Sequence, residues 1–408
     1  MPSQPLSSTR VWAVTLVATA TMAISYLDRQ VLAALAPAVR ADLEIGAEQY
    51  GWLASAFSIA YLISTPLAGR ALELVGVRRG MLGAVVLWTM VSAGHALVPT
   101  FALLFAARLA LGVSESPSFP GSAAAIARTV PASGRARALG ILYTGSSFGA
   151  MVAPVLAPWM MARFGGWRAA FLGVAIVGLL WVPMWLVATG TPTVRAMLDA
   201  RPAPAERRSL LSTATHPGVL RAGALVLALS PMFAFVLLWG AELLHHAYGV
   251  AQVDIGRYLW LPPLLFDLGA VFFGVLASRF AARGDGEGSP IMLSVVALGM
   301  ALAIGLLPLC RDPWQVTVVL GIAMAGGAGL FAMLTADMIG RVGPALAASA
   351  GGVVAAAQSL AYIVANPLIG RAFDALGSYD VVAVVLAAWM LPGSALWLAT
   401  RGRTPARA

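Results

Sequence analysis

Twelve long apolar runs, bounded by arginines or by Gly/Pro clusters, succeed one another along nearly the whole chain. They fall at 11–36, 50–69, 80–98, 100–126, 138–162 and 169–189, then at 218–245, 255–278, 290–309, 314–336, 346–368 and 381–400. A transmembrane helix needs about 20 mostly apolar residues, so each run is long enough to cross a bilayer. The composition agrees: 60% of the 408 residues are hydrophobic, 11% are charged and the mean hydropathy is +0.85. A soluble globular domain carries roughly 25% charge. Disorder is excluded by the same balance, because unfolded segments are poor in apolar residues and rich in charge. The expected fold class is therefore an all-α polytopic membrane protein with twelve transmembrane helices. The expected organisation is an N-terminal six-helix half over 1–190, a cytoplasmic linker over 191–217 rich in Pro and Arg, and a C-terminal six-helix half over 218–408.

The net charge of +9 is carried without lysine, so every basic residue is an arginine. A nucleic-acid footprint is a clustered basic face, whereas these arginines lie in short pieces between apolar runs, which excludes nucleic acid as a partner. They read instead as topology signals. With the N-terminus in the cytoplasm, eighteen fall on the inside, six outside, and Arg29 and Arg108 lie within spans, so both termini are expected to be cytoplasmic. The start, Met1 to Arg10, lacks the pattern of a cleaved leader, and the first apolar run is expected to be retained. Cys310, the single cysteine, excludes an intrachain disulfide and reads as a packing residue.

The connection between spans two and three, Gly69-Arg70-Ala-Leu-Glu73-Leu74-Val-Gly76-Val-Arg78-Arg79, is echoed weakly by Gly274 to Gly284 between spans eight and nine. Repeated six-helix halves with a binding site near the bilayer midplane are a transporter architecture that works by rocking one half against the other. The 69–79 stretch resembles the signature loop of the major facilitator superfamily, although Glu73 stands where Asp is usual and Leu74 where a basic residue is usual. The resemblance implies the major facilitator fold. It also implies a cytoplasmic latch of Glu73, Arg78 and Arg79, in which acid, arginines and helix dipoles hold one state closed.

Ionisable side chains inside spans are costly in lipid and mark cavities or pathways by default. Span one carries Ser25-Tyr26-Leu27-Asp28-Arg29-Gln30. Span four carries Arg108 and Glu115, seven apart and so on one helix face, within a segment containing Gly112, Pro117 and Pro120. The small residues and prolines make that helix irregular, and its freed carbonyls suit a wet cavity. These two clusters, with Gly165-Gly166-Trp167-Arg168 and Phe171 before span six, resemble the anion:cation symporter family, nearest to bacterial hexuronate and galactonate carriers. By that resemblance Arg29 holds the substrate's anionic group, Asp28 and Glu115 bind protons, and Arg108 sets the state of Glu115.

The chemistry of the residues leads the same way. Burial disfavours the charged form of a carboxylate, which suits it to take up and release a proton. A buried guanidinium keeps its charge and needs a counter-anion in every state. A transported carboxylate can be that anion, and Asp28 or Glu115 can replace it when substrate is absent, so anion and proton movement are coupled. The alternatives are permanent Asp28/Arg29 or Arg108/Glu115 pairs used for packing. Span seven carries no arginine within its apolar body, so one anion anchor and a substrate with a single carboxylate are expected.

Tyr26, Tyr61 and Trp239 are candidate substrate-cavity residues because they pair an aromatic face with a polar tip. Gln358 and Asn366, eight apart in span eleven, are candidate donors for substrate hydroxyls. Glu242, with His245 and His246 at the outer end of span seven, reads as a polar rim or a pH-sensitive gate, the rim being favoured. Asp337 reads as a solvated helix-end charge, and His95 as satisfied locally.

These features together point to a proton-coupled symporter that imports a small organic anion, such as a sugar acid or other monocarboxylate, by alternating access. An exchanger or exporter on the same fold is the alternative. An enzyme is disfavoured, because four scattered histidines give neither HxxxH nor HExxH and a phosphate-cradling Gly-Lys motif is impossible without lysine. No cofactor or metal is expected, protons being the coupling ion. The expected setting is the bacterial inner membrane, with the bilayer and the anion as partners and a monomer as the unit.

Overall fold

The computed structural model describes residues 7–200, 210–283, 288–343 and 346–400, and the elements in them are helical. Six of the orientation arginines, Arg201, Arg207, Arg208, Arg401, Arg403 and Arg407, lie outside the described residues, as do Pro202 and Pro204. The chain divides into two compact units. One comprises Met1–Ile45, Trp52–Ala205 and Ala251–Arg257, and the other Gly46–Gly51, Glu206–Val250 and Tyr258–Ala408.

The first unit is built from α1 (Ser8–Ala34), α2 (Ala47–Val75, from Trp52 onward), α3 (Val77–Gly94), α4 (Phe101–Glu115), α5 (Ser118–Thr129), α6 (Ala132–Phe164), α7 (Trp167–Ala188) and α8 (Pro192–Asp199). Among the described residues, eleven helical stretches are long and apolar enough to cross a membrane. The twelfth expected span is the broken pair α4 and α5, of 15 and 12 residues. The break falls at Ser116 and Pro117, where the proline ring cannot donate to a preceding carbonyl. The second span runs on to Val75 rather than ending at residue 69, because Arg-Ala-Leu-Glu-Leu-Val at 70–75 is made mostly of good helix formers. The whole turn is Gly76, whose φ of +90° suits glycine, and a Cβ there would come within 2.5 Å of the Asp199 carboxylate.

Lipid tails are as apolar as leucine, so helices in a bilayer associate through close packing at small residues. Gly145 and Gly149 of α6 lie against the backbone of α1, where an added Cβ would sit 2.3 and 2.2 Å from the Thr19 and Ala23 carbonyls. The core beside this seam contains Val14, Val17, Trp88, Trp181 and Trp185. The last two stack with centroids 5.1 Å apart, and their indole N–H groups donate to the carbonyls of Val17 and Arg78. Within the linker, α8 presents Val194 and Leu198 to the same core, one helical turn apart.

The second unit is built from α9 (Pro217–Ala234), α10 (Gly240–Tyr248), α11 (Leu261–Arg283), α12 (Gly288–Ala301), α13 (Pro313–Val342), α14 (Ala347–Leu376) and α15 (Asp380–Ala399). Pro231 in α9 has no N–H to give the Leu227 carbonyl, and Trp389 Nε1 of α15 donates to that oxygen at 3.1 Å instead. A π turn at Phe235–Trp239 follows, and the Tyr50 hydroxyl donates to its Leu238 carbonyl at 2.6 Å. Asp337 is not a solvated charge. Arg221 and Arg341 both pair with it, and Arg221, buried one turn into α9, also donates to the Trp397 carbonyl.

Candidate functional site

The site is assembled by three helices of the first unit that come close because glycine permits it. Gly112 in α4 abuts α2, where a Cβ would stand 2.5 Å from the Phe57 carbonyl. That approach brings Arg108 and Glu115, on either side of Gly112, into the space between α1, α2 and α4. Glu115 has no exposed surface, Asp28 is 1% exposed and Arg108 3%. Three ionisable groups are therefore buried in one layer of the unit.

Arg29 reaches across from α1. Its Nε donates to Glu115 Oε2 at 2.8 Å, and the Ser25 hydroxyl donates to the same oxygen at 2.8 Å. The other carboxylate oxygen, Oε1, is buried and makes no hydrogen bond among the described residues. Arg29 Nη2 lies 3.5 Å from the Ser118 hydroxyl at the start of α5. Around the guanidinium stand three rings, Tyr26, Phe57 and Tyr61, with centroids 5.0, 4.6 and 4.7 Å away. A cation at such distances is attracted to the ring faces. Arg29 is thus held by one carboxylate edge-on and by aromatic faces, with 15% of its side chain exposed.

Asp28, next in sequence to Arg29, faces elsewhere, because neighbours on a helix point about 100° apart. The Ser92 hydroxyl of α3 donates to its carboxylate. Arg108 stands with its guanidinium 5.5 Å from the Phe57 ring centre and near enough for its charge to act on both Asp28 and Glu115. The ion pair is therefore Arg29 with Glu115, linking α1 to α4, and neither of the two pairings considered from sequence spacing. His95 Nδ1 lies 2.8 Å from the Val91 carbonyl and the ring stacks on Phe171, while the buried Nε2 makes no hydrogen bond among the described residues.

The remaining candidates are distributed. Tyr26 and Tyr61 join Arg29 as described. In the second unit, Trp239 Nε1 donates to Asn366 Oδ1 at 3.1 Å, both residues being fully buried, while Gln358 is partly exposed on α14. At the proposed latch, Arg78 donates to the Thr189 carbonyl and hydroxyl at 3.3 and 3.1 Å, capping the end of α7. Glu73 and Arg79 are exposed and make no ion pair among the described residues. Three site residues escape sequence reading: Ser25, Ser92 and Phe57. A serine in a span carries no charge signal, and one phenylalanine among fifteen has no mark that sets it apart.

A bundle of helices long and apolar enough to cross a membrane, enclosing two guanidinium groups and two carboxylates, fits a multi-pass membrane transporter, and the chain's family and relatives are transporters and not enzymes. The chain matches the Major Facilitator Superfamily over residues 18–365, and it belongs to that superfamily. It is similar to the hexuronate transporter of Escherichia coli (strain K12), at 28% identity over 92% of this chain and 90% of that protein. It is also similar to the galacturonate transporter of Dickeya chrysanthemi, at 30% identity over 69% and 86%. A probable galactarate/D-glucarate transporter of Bacillus subtilis (strain 168) matches at 25% identity over 90% and 86%. Among solved structures, a bacterial homologue of the human lysosomal transporter Spinster aligns with a TM-score of 0.74 and 16% identity over 97% of this chain and 95% of its own. That likeness concerns the fold alone.

Proposed function

We propose that this protein is a proton-coupled symporter that imports a small organic anion, a sugar acid with a single carboxylate, across the bacterial inner membrane by alternating access. The observation that carries the reading is the Arg29–Glu115 pair: a guanidinium that cannot lose its charge, held by a carboxylate that can. A substrate carboxylate arriving at Arg29 competes with Glu115 for the same N–H groups. Once displaced, Glu115 is a fully buried carboxylate without its cation, and a proton from water neutralises it by forming an O–H bond on the carboxyl. The site then carries the substrate anion and the proton together. Return of the empty carrier needs the reverse: substrate leaves, Glu115 loses its proton, and the ion pair closes again.

Asp28, bonded to Ser92, is the second proton group, and Arg108 is the coupling residue whose charge acts on both acids. Tyr26 and Tyr61 offer faces and hydroxyls to a sugar ring. Taken by itself, the second unit has Asn366, Trp239 and Gln358 as its substrate-binding candidates. Arg78, with Glu73 and Arg79, serves the cytoplasmic latch. The sugar-acid assignment draws on the hexuronate and galacturonate names of the 28% and 30% relatives, both monocarboxylate substrates. Proteoliposome uptake of a panel of hexuronates, aldarates, aromatic acids and short monocarboxylates, with an imposed pH gradient, tests the reading. Acid-outside stimulation of a hexuronate is expected. Uptake indifferent to pH for every member, and unchanged by Arg29→Ala, overturns it.

A further inference from the structure

The second unit holds a buried acid that the mechanism above does not use. Glu242, in the first turn of α10, has no exposed surface, so it is not a rim group. Its Oε2 lies 2.9 Å from Nε2 of His246, one turn further along, and the His246 side chain is 40% exposed. The pair therefore runs from an exposed ring near the end of α10 to a carboxylate with no exposed surface. The π turn at Phe235–Trp239 immediately precedes it. One extra residue in a turn rotates everything beyond it by about 100°, so the π turn sets which way the face of α10 carrying Glu242 and His246 points. Packing of this kind at a π turn is a frequent mark of function.

We propose that Glu242 and His246 form a second proton-exchange site, in which the exposed imidazole delivers a proton to the buried carboxylate. The N–H bond on Nε2 of the protonated imidazole breaks as an O–H bond forms on Glu242 Oε2. The imidazole is left neutral, with a lone pair on Nε2 that takes the next proton from water. Both partners are uncharged after the transfer, which removes the cost of a buried carboxylate. The site connects to the rest of the unit through rings: His246 lies against Phe373, Phe373 stacks on Tyr379, and Tyr379 touches Trp239.

Other charged and titratable groups stand on the surrounding elements. On α10 itself, His245 Nδ1 lies 2.9 Å from the Val250 carbonyl. On α14, Arg371 pairs with Glu48 at 2.6 Å, and Asp374 accepts from the Ala47 and Glu48 N–H groups. At the start of α15, Asp380 is near enough to Tyr248 and Cys310 for its charge to act on both.

This inference extends the proton-coupled reading, and infrared difference spectroscopy of the full chain in lipid bilayers separates the two. Between about pH 9 and about pH 5, the wild type is expected to gain a protonated-carboxyl stretching component that Glu242→Gln lacks and Glu115→Gln retains. His246→Gln, at an exposed ring, is expected to move the midpoint of that component by about one pH unit or more. Superimposable spectra of the wild type and Glu242→Gln overturn the proposal. So does an unmoved midpoint in His246→Gln, which decides the matter alone should Glu242→Gln fail to fold. The spectra need no substrate. Uptake indifferent to pH with the Glu242 component present removes the symport reading and leaves the site, and pH-driven uptake without the component does the opposite.

Discussion

Arg29 and Glu115, 86 residues apart in sequence, meet through a 2.8 Å hydrogen bond between α1 and α4 in the interior of the first unit. Ser25 donates to the same carboxylate oxygen, so the acid is held at one oxygen by two helix-one side chains and left bare at the other. The arrangement stabilises a charged pair while leaving room for one partner to be exchanged.

Replacing Arg29 with Ala should reduce substrate affinity by about tenfold to a hundredfold, the range for losing a hydrogen bond to a charged group. Arg29→Lys should rescue only part of it, because a point ammonium cannot reproduce the planar fork. Equilibrium binding of a hexuronate to the purified protein measures both.

Glu115→Gln keeps the hydrogen-bonding shape at Arg29 and removes the titrating proton. Uptake driven by a pH gradient should disappear, while counterflow of the same substrate should persist. Loss of both in a folded variant would argue against a proton role for this acid.

Asp42, between the first two membrane-crossing helices, accepts from Arg168 Nη1 at 2.7 Å and from Trp167 Nε1 at 3.0 Å. These two hydrogen bonds, Arg168 foremost, hold its carboxyl below the usual carboxylate range. The folded value lies beneath the unfolded one, so the pair's stabilisation is present above about pH 4 and is lost as the pH falls through the folded value. Asp42→Asn should lower thermal stability slightly at neutral pH and close the gap to the wild type at acid pH. Melting curves between pH 3 and pH 7 in detergent would show the gap closing.

Asp337→Asn should destabilise the second unit by about 3 kcal/mol, because Arg221 stays buried without its carboxylate. Asp337→Asn combined with Arg221→Met should recover a good part of the loss. Chemical denaturation of the single and double variants tests whether the pair behaves as a unit.

Gly149→Val should cost about 1–3 kcal/mol and lower expression, since its side chain would collide with the Ala23 carbonyl of α1. Gly83→Val, where no neighbour lies within 4 Å of an added Cβ, is the matched control.

The membrane fold is legible in the sequence because each span needs only its own apolar residues, and a bilayer imposes one helix length on all of them. The acids and arginines of the first unit are legible for a related reason: a charge inside an apolar run is conspicuous wherever the chain later goes. Partner choice is not local. Spacing brings Arg108 and Glu115 onto one face, yet Glu115 pairs with Arg29 of α1, 86 residues away in sequence. Ser92 and Phe57 carry no sequence signal and Ser25 only its place in the span-one cluster, and they matter because α2, α3 and α4 pack beside α1. Asp337 and Glu242 make the same point in the second unit. Asp337 reads from sequence as a solvated charge and Glu242 as a rim or gate, and packing sets the first against Arg221 and Arg341 and buries the second, after a π turn, beside His246. The apolar pattern determined the spans and which residues are out of place in them. Only the tertiary structure decided which charges face each other and which of them water can reach, because both depend on helix rotation and close approach between segments far apart in the chain.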